Sequence, residues 1–334
     1  MSRQYHLFAL KFILDNTTTR PMPSTATPTV SAWLDRHLGA HPPRAKSLVM
    51  TLFGDVIIPH GGSVWMGSLI ELMAPFGISD RLVRTSVFRL AEEGWLDAQR
   101  EGRRSRYTLD PRSSARFERA YQRVYTQAGQ DWDGQWTLVL AHGASITSEQ
   151  RAMLRKELGW QGFGQVAPQV AAHPAPDLDI LDDVLRRSGA REHVFVCAAR
   201  APLQAMAARP LADLVAQCWE LASVEADYLR FIEEFGQVAD LLDAQGSTLD
   251  PRDAFMVRAL TIHAYRRTKL HDPQLPLALL PADWPGTPAF ALCRRIYRAV
   301  QAGAEAQVLA LLRREDPGAP GAAPYFYGRF DGLA

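Results

Sequence analysis

The chain reads as a multidomain α+β protein, and three observations carry that reading. Near the N-terminus, a basic amphipathic stretch with turn signals on both flanks is followed by a hairpin pattern. Strand-like and helical runs then alternate over residues 131–205. From residue 206 the apolar spacing is almost entirely helical. The 334 residues, 47% of them hydrophobic, exceed one ordinary core, which agrees with several units. The predicted divisions are a flexible extension (1–43), a first unit (44–111), a linker helix (112–130), an α/β unit (131–205), a helical unit (206–315) and a loose tail (316–334).

The extension is assigned on Asn16, a run of threonines, Pro21, Pro23 and Ser24, a composition that buries little apolar surface. A partner-docking arm is the alternative for the same residues. From Arg44 onward, Ala45, Leu48, Val49, Leu52, Phe53, Val56 and Ile57 recur at threes and fours. They predict a helix that Pro59, Gly61 and Gly62 stop. Ser63 is expected to cap a second helix carrying Trp65, Leu69, Leu72 and Met73, ended by Pro75 and Gly77. A third helix opens at Ser79. Its Val83, Val87 and Leu90 form an inward stripe, which turns Arg81, Arg84, Thr85 and Arg89 outward. Two short strands follow, around Leu96 and Tyr107, joined by a tip bearing Arg100, Arg103 and Arg104. Two crossing helices and an arginine-tipped hairpin predict a winged helix.

Trp136 to Ala141, a helix from Ser148, a strand around residues 163–172, a helix from Asp177 and a strand from His193 predict a ferredoxin-like α/β sandwich. Helices over 211–244, 251–270 and 288–314, separated by Gly- and Pro-bearing loops, predict the α-helical domain.

The formal net charge is +1, so a nucleic-acid site has to be a local patch rather than a whole-protein field. Such a patch needs cations for phosphate and planar donors for base edges. Ser79, Arg81, Arg84 and Thr85 lie in the first two turns of the third helix, where a recognition helix meets bases. Arg89 suits a phosphate, and Arg100, Arg103, Arg104 and Arg106 suit phosphate or minor-groove contact. A solvated helix and hairpin would carry the same residues.

Cys197, Cys218 and Cys293 are scattered and odd in number, so no disulfide framework is expected and a reducing, cytoplasmic setting is. Apolar runs are too short and too charged for a membrane span. Gly162-Phe163-Gly164 lacks the context of a dinucleotide loop and is read as a turn. His173, His193, His263 and His271 have no metal-ligand spacing, and no metal is expected.

Several stretches resemble the PaaX family, whose members repress phenylacetic acid degradation operons. They are Thr51-Leu52-Phe53-Gly54-Asp55, the run from Gly77 to Arg89, Gly94-Trp95-Leu96 and Gly102 to Tyr107. The likeness continues through Trp132-Asp133-Gly134-Gln135-Trp136, His263-Ala264-Tyr265-Arg266-Arg267 and Leu280 to Gly286. Ala264 stands where the family pattern has Asp, and His271 where it usually has Arg. The resemblance implies a Cas2-like middle domain and a bacterial DNA-binding repressor, without catalytic activity, released from its operator by phenylacetyl-coenzyme A. A homodimer is expected, because helix-turn-helix proteins read two-fold operators.

An acyl-coenzyme A effector requires arginines beside an apolar groove. His263, Arg266, Arg267 and Leu270 share one helix face, and Tyr265 and Trp284 could line the acyl end. The plain alternative is that the arginines pair with acids and the other three are core. The competing class is a nuclease or an acyl-coenzyme A-processing enzyme with a DNA-binding appendage. The strand after Trp136 carries no acidic residue, which favours a scaffold or dimer surface.

Overall fold

The computed structural model describes residues 29–127, 132–141, 146–200, 210–245 and 249–333. The chain begins there with α1 (Val30–Ala40), where a helix stands within the expected extension. Thr29 accepts the Ala32 N–H as its cap, and Val30, Trp33 and Leu34 are buried. Their i, i+3, i+4 spacing was masked by the Thr- and Pro-rich run before them. The part of the expected extension before Thr29 lies outside the described residues.

In α2 (Ala45–Leu52) and the π-helical turn Phe53–Ile57, Leu48, Val49, Leu52, Phe53, Val56 and Ile57 are fully buried. Ser63 does not cap a helix. It opens β1 (Ser63–Trp65), and α3 (Met66–Met73) starts three residues later. Strand β1 pairs with residues Arg106 to Thr108, so tertiary pairing overrides a helical spacing that is present in the sequence. Because Trp65 offers no side-chain cap, α3 takes one from far away: Glu315 accepts the Ser68 N–H at 2.7 Å. A carboxylate suits this end of a helix, where free N–H groups and the dipole favour negative charge. Gly67 makes room for it, since a Cβ there would stand 2.5 Å from Glu315 Oε1.

The turn Ala74–Phe76 leads to α4 (Asp80–Glu92), then β2 (Leu96–Glu101) and β3 (Arg104–Leu109). These strands form a sheet of order β1-β3-β2, and Gly102 and Arg103 make the hairpin tip. Helix α5 (Ser114–Tyr125) leads onward.

The α/β unit runs β4 (Gln135–Ala141), α6 (Ser148–Trp160), β5 (Gly164–Ala167), β6 (Val170–His173), α7 (Leu178–Arg187) and β7 (Val194–Arg200). Its antiparallel sheet has the order β5-β6-β4-β7, the topology of a ferredoxin-like sandwich. The single strand expected over residues 163–172 is a hairpin of two. Apolar residues of the sheet, α6 and α7 form a separate core.

Gly162 docks this unit on the loop after α10 (Pro251–His271). Its carbonyl accepts the Trp219 indole N–H at 2.8 Å, and its φ is +85°. A Cβ there would lie 2.5 Å from the Pro273 carbonyl oxygen and 3.0 Å from His173 Nε2. Gly162→Ala is therefore expected to cost about 1–3 kcal/mol and loosen the docking. Hydrogen exchange around residues 271–276 checks this, and unchanged protection there counts against it.

The run 211–244 is broken at Trp219 into α8 (Leu211–Cys218) and α9 (Leu221–Gln245). After α10 comes α11 (Gly286–Glu315). The tail is not loose, because Pro324–Asp331 forms a 3₁₀ segment that buries Phe326, Arg329 and Phe330. Its Gly, Pro and Ala content hid two aromatic anchors. Helix α10 is buried nearly all round, between α2 and α5 on one side and α9 and α11 on the other. As a result, apolar residues of the first unit and of the helical region form one continuous core.

A charged cluster crosses that core. Asp55 Oδ1 accepts from the Tyr125 hydroxyl (2.7 Å), the Tyr297 hydroxyl (2.9 Å) and Arg329 Nη1 (3.0 Å). Arg258 Nε stands 3.1 Å from Asp55 Oδ2. Arg258 also donates to Glu305 at 2.6 Å, and Glu305 meets His60 Nε2 at 3.0 Å. The Arg329 guanidinium lies 4.1 Å from the centre of the Tyr125 ring.

Candidate nucleic-acid interface

Helix α4 is held by one face. Val83, Ser86, Val87 and Leu90 are buried, whereas Arg81, Arg84, Thr85 and Arg89 are exposed, as the spacing predicts. Ser79 occupies the N-cap position without capping through its side chain, so its hydroxyl is left available. Thr85 donates its hydroxyl to the Arg81 carbonyl at 2.8 Å, which fixes its rotamer and leaves its oxygen lone pairs outward. Among the described residues, no carboxylate forms an ion pair with Arg81, Arg84 or Arg89. Beside them, Lys46 is neutralised by Glu93 at 2.5 Å.

The hairpin divides its arginines. Arg103 stands exposed at the tip, and Arg100 donates Nε to the Gly102 carbonyl at 3.2 Å while remaining exposed. Arg104, also exposed, lies 4.5 Å over the Trp65 ring. Arg106 is committed to its own chain: Nε donates to Ser63 at 3.0 Å and Nη2 stands 3.6 Å from Asp316.

Two exposed apolar residues of α4 were absent from the sequence reading. Phe88 is 61% exposed and Leu82 47%, each just off the buried stripe. Their signal was the excess of apolar residues over what one stripe uses. Large apolar groups beside unpaired arginines suit a partner with both phosphates and base or methyl surfaces.

The residues proposed for an effector separate. Tyr265 is fully buried with Phe231 and Tyr228, and Trp284 packs edge-on against Tyr228. His263 Nδ1 lies 2.9 Å from the Thr51 hydroxyl oxygen, and burial, then Arg266 and Arg267, hold its pKa down at about 3. Arg266 donates to the same Thr51 oxygen at 2.9 Å, whereas Arg267 is exposed. His263 and Arg266 thus join α10 to α2. His173 is elsewhere, on Pro273, and His271 is exposed beside Trp160. No group of three or more His, Cys, Asp or Glu able to hold a metal occurs among the described residues. Within the same residues, no helix is long and apolar enough to cross a membrane.

Exposed arginines on α4 and at the hairpin tip, without an acidic partner among the described residues, are the kind of surface a transcription regulator carries. Three family models match the chain: PaaX-like protein over residues 44–113, the PaaX protein central Cas2-like domain over 129–212, and the PaaX-like protein C-terminal domain over 219–310. The chain is 36% identical to the transcriptional repressor PaaX of Escherichia coli over 304 residues, covering 91% of this chain and 95% of that one. A solved structure, an uncharacterized protein of Mycobacterium tuberculosis, aligns with a TM-score of 0.43 at 28% identity, over 71% of this chain and 89% of that one. The chain belongs to the PaaX family, a family of regulators rather than enzymes.

Proposed function

We propose that this protein is a homodimeric winged-helix repressor acting in the bacterial cytoplasm. It binds the operator of a phenylacetate-type catabolic operon and leaves it when an aryl-acetyl-coenzyme A thioester binds. The observation that carries the DNA reading is the unpaired arginine face of α4, set on a buried stripe that fixes its direction. The order α2, β1, α3, α4, β2, β3 supports the winged helix, with α4 as the recognition helix and the β2–β3 hairpin as the wing. In this reading Ser79, Arg81, Arg84 and Thr85 meet base edges, and Arg89, Arg100, Arg103 and Arg104 meet the backbone. Arg106 braces the wing from behind. The repressor role is supported by the E. coli relative. A second copy is supported by β7, an edge strand of its sheet, on which Phe195 is 67% exposed beside Val196.

The test is a gel-shift titration on a site selected from random-sequence DNA and on a scrambled control. Arg84→Ala is expected to lower specific affinity by about 1–3 kcal/mol and relax sequence preference. Arg103→Ala is expected to weaken both DNAs evenly and flatten the salt dependence. Unchanged binding in both variants sinks the assignment.

A further inference from the structure

Between α2, α5 and α10 lies a cavity of about 200 Å³. Its walls include Met50 and Gly54 of the first unit, Phe117, Tyr121 and Val124 of α5, and Ile262 of α10. Exposed Ser114, Glu118 and Tyr325 also line it and open it to solvent. Benzene fills a cavity of about 150 Å³ in another protein, so this one has room for a ring and a short arm.

Its charge is unusual. Arg266 lines the cavity, with Thr51 at 2.9 Å and the Ser47 carbonyl at 3.4 Å as its hydrogen-bond partners. Both bonds use Nη1, so Nε and Nη2 make none among the described residues, and no carboxylate pairs with it there. Burial lowers its pKa, the sign of a cation held without compensation. Asp55 also lines the wall, but its carboxylate is taken up by Arg329, Arg258 and two tyrosines. Glu118, at the exposed side, accepts from the Gln122 amide at 2.9 Å.

We propose that this cavity is a ligand site for a ring-sized apolar group bearing a carbonyl or carboxylate oxygen, with the ring among Phe117, Tyr121 and Ile262 and the oxygen on Arg266. The guanidinium that holds Thr51 of α2 through Nη1 then meets the ligand through Nε or Nη2, and the position of α2 follows occupancy. Helix α2 packs directly on α4, so the arginine face moves with it. The site deepens the effector reading and rests on it only for the ligand's identity. A larger depression of about 450 Å³ along α11 is a weaker candidate. There Arg295 is held by Asp240 and Asp243, Arg294 faces Asp331, and Arg298 donates to the Gly332 carbonyl.

The experiment titrates phenylacetyl-coenzyme A, phenylacetate and toluene into the full chain by calorimetry, with release of DNA followed separately by gel shift. Ala120→Phe fills the cavity from its lining, and Arg266→Gln removes the cation. Ala120→Leu replaces the first variant where circular dichroism shows it misfolded. Filling is expected to weaken all ligands at least tenfold, whereas Arg266→Gln weakens the two oxygen-bearing ligands tenfold and leaves toluene unchanged. If phenylacetyl-coenzyme A binds and releases DNA equally well in both variants, the cavity is overturned and the effector reading stands. If phenylacetate binding depends on both residues but phenylacetyl-coenzyme A neither binds nor releases DNA, the cavity stands and the effector reading falls. If none of the three binds the wild type, both fall.

Discussion

Asp55→Ala is expected to destabilise the folded protein by about 3–5 kcal/mol. Asp55 is buried, and its carboxylate is the shared partner of two fully buried arginines and two buried tyrosine hydroxyls. Removing it strands Arg258 and Arg329 in a low-dielectric interior, where an uncompensated charge costs far more than the pair contributes. Asp55→Asn keeps an acceptor for the hydroxyls but not the charge, so its loss should be intermediate. Urea-denaturation midpoints read by tryptophan fluorescence decide it, and a loss below about 1 kcal/mol for Asp55→Ala would overturn the account.

Acid is expected to act through different residues. Burial, only partly opposed by a bond to Pro273, holds the His173 pKa down at about 4, and burial with two flanking arginines holds that of His263 at about 3. Geometry agrees for His173: Nδ1 accepts the Ala175 N–H at 3.0 Å, so the proton sits on Nε2, facing the Pro273 carbonyl. Both folded values lie below the unfolded value of about 6.5, so the unfolded chain binds more protons on acidification. Stability is full above pH 6.5 and falls as pH drops from there toward 4 and 3. Between pH 7 and pH 5 each histidine contributes about 2 kcal/mol of loss, together about 4 kcal/mol.

Glu305 adds a lower step. Burial pushes its pKa up, but the His60 hydrogen bond and Arg258 outweigh it and hold it at about 2, so its contribution is lost from about pH 4.5 downward. Melting curves across pH 4 to 8 test the upper step. The double variant His173→Asn, His263→Asn should flatten the slope between pH 7 and pH 5, and an unaltered slope would exclude these residues as its source.

The outward face of α4 was legible in the sequence because it depends on local periodicity. The spacing of Val83, Val87 and Leu90 fixes where Arg81, Arg84 and Arg89 point, whatever the rest of the chain does. Strand β1 was not legible, because Trp65 and Leu69 keep a helical interval and only the pairing of Ser63, Val64 and Trp65 with Thr108, Tyr107 and Arg106 makes a strand. Nor was the charged cluster, whose members come from positions 55, 60, 258, 305 and 329 and meet only through packing. The surroundings of the expected effector face were hidden for a related reason. One helical face of α10 was identified, but not that α2 would lie against it and leave Arg266, alone of the five residues, lining a cavity.

Glu315 capping α3 and the single core beneath it bear on how such regulators diversify. A DNA-reading segment held on by a linker can be exchanged between relatives like a cartridge. Here the start of α3 is completed by the end of α11, and Leu48, Val49 and Leu52 share a core with α10. Residues 44–113 are therefore not portable: a chimera that imports them without the matching faces of α10 and α11 leaves apolar surface unmatched and a helix end uncapped. If the outward face of α4 reads the operator as proposed, new preferences in this architecture arise by substitution in place on that face rather than by shuffling of the whole unit.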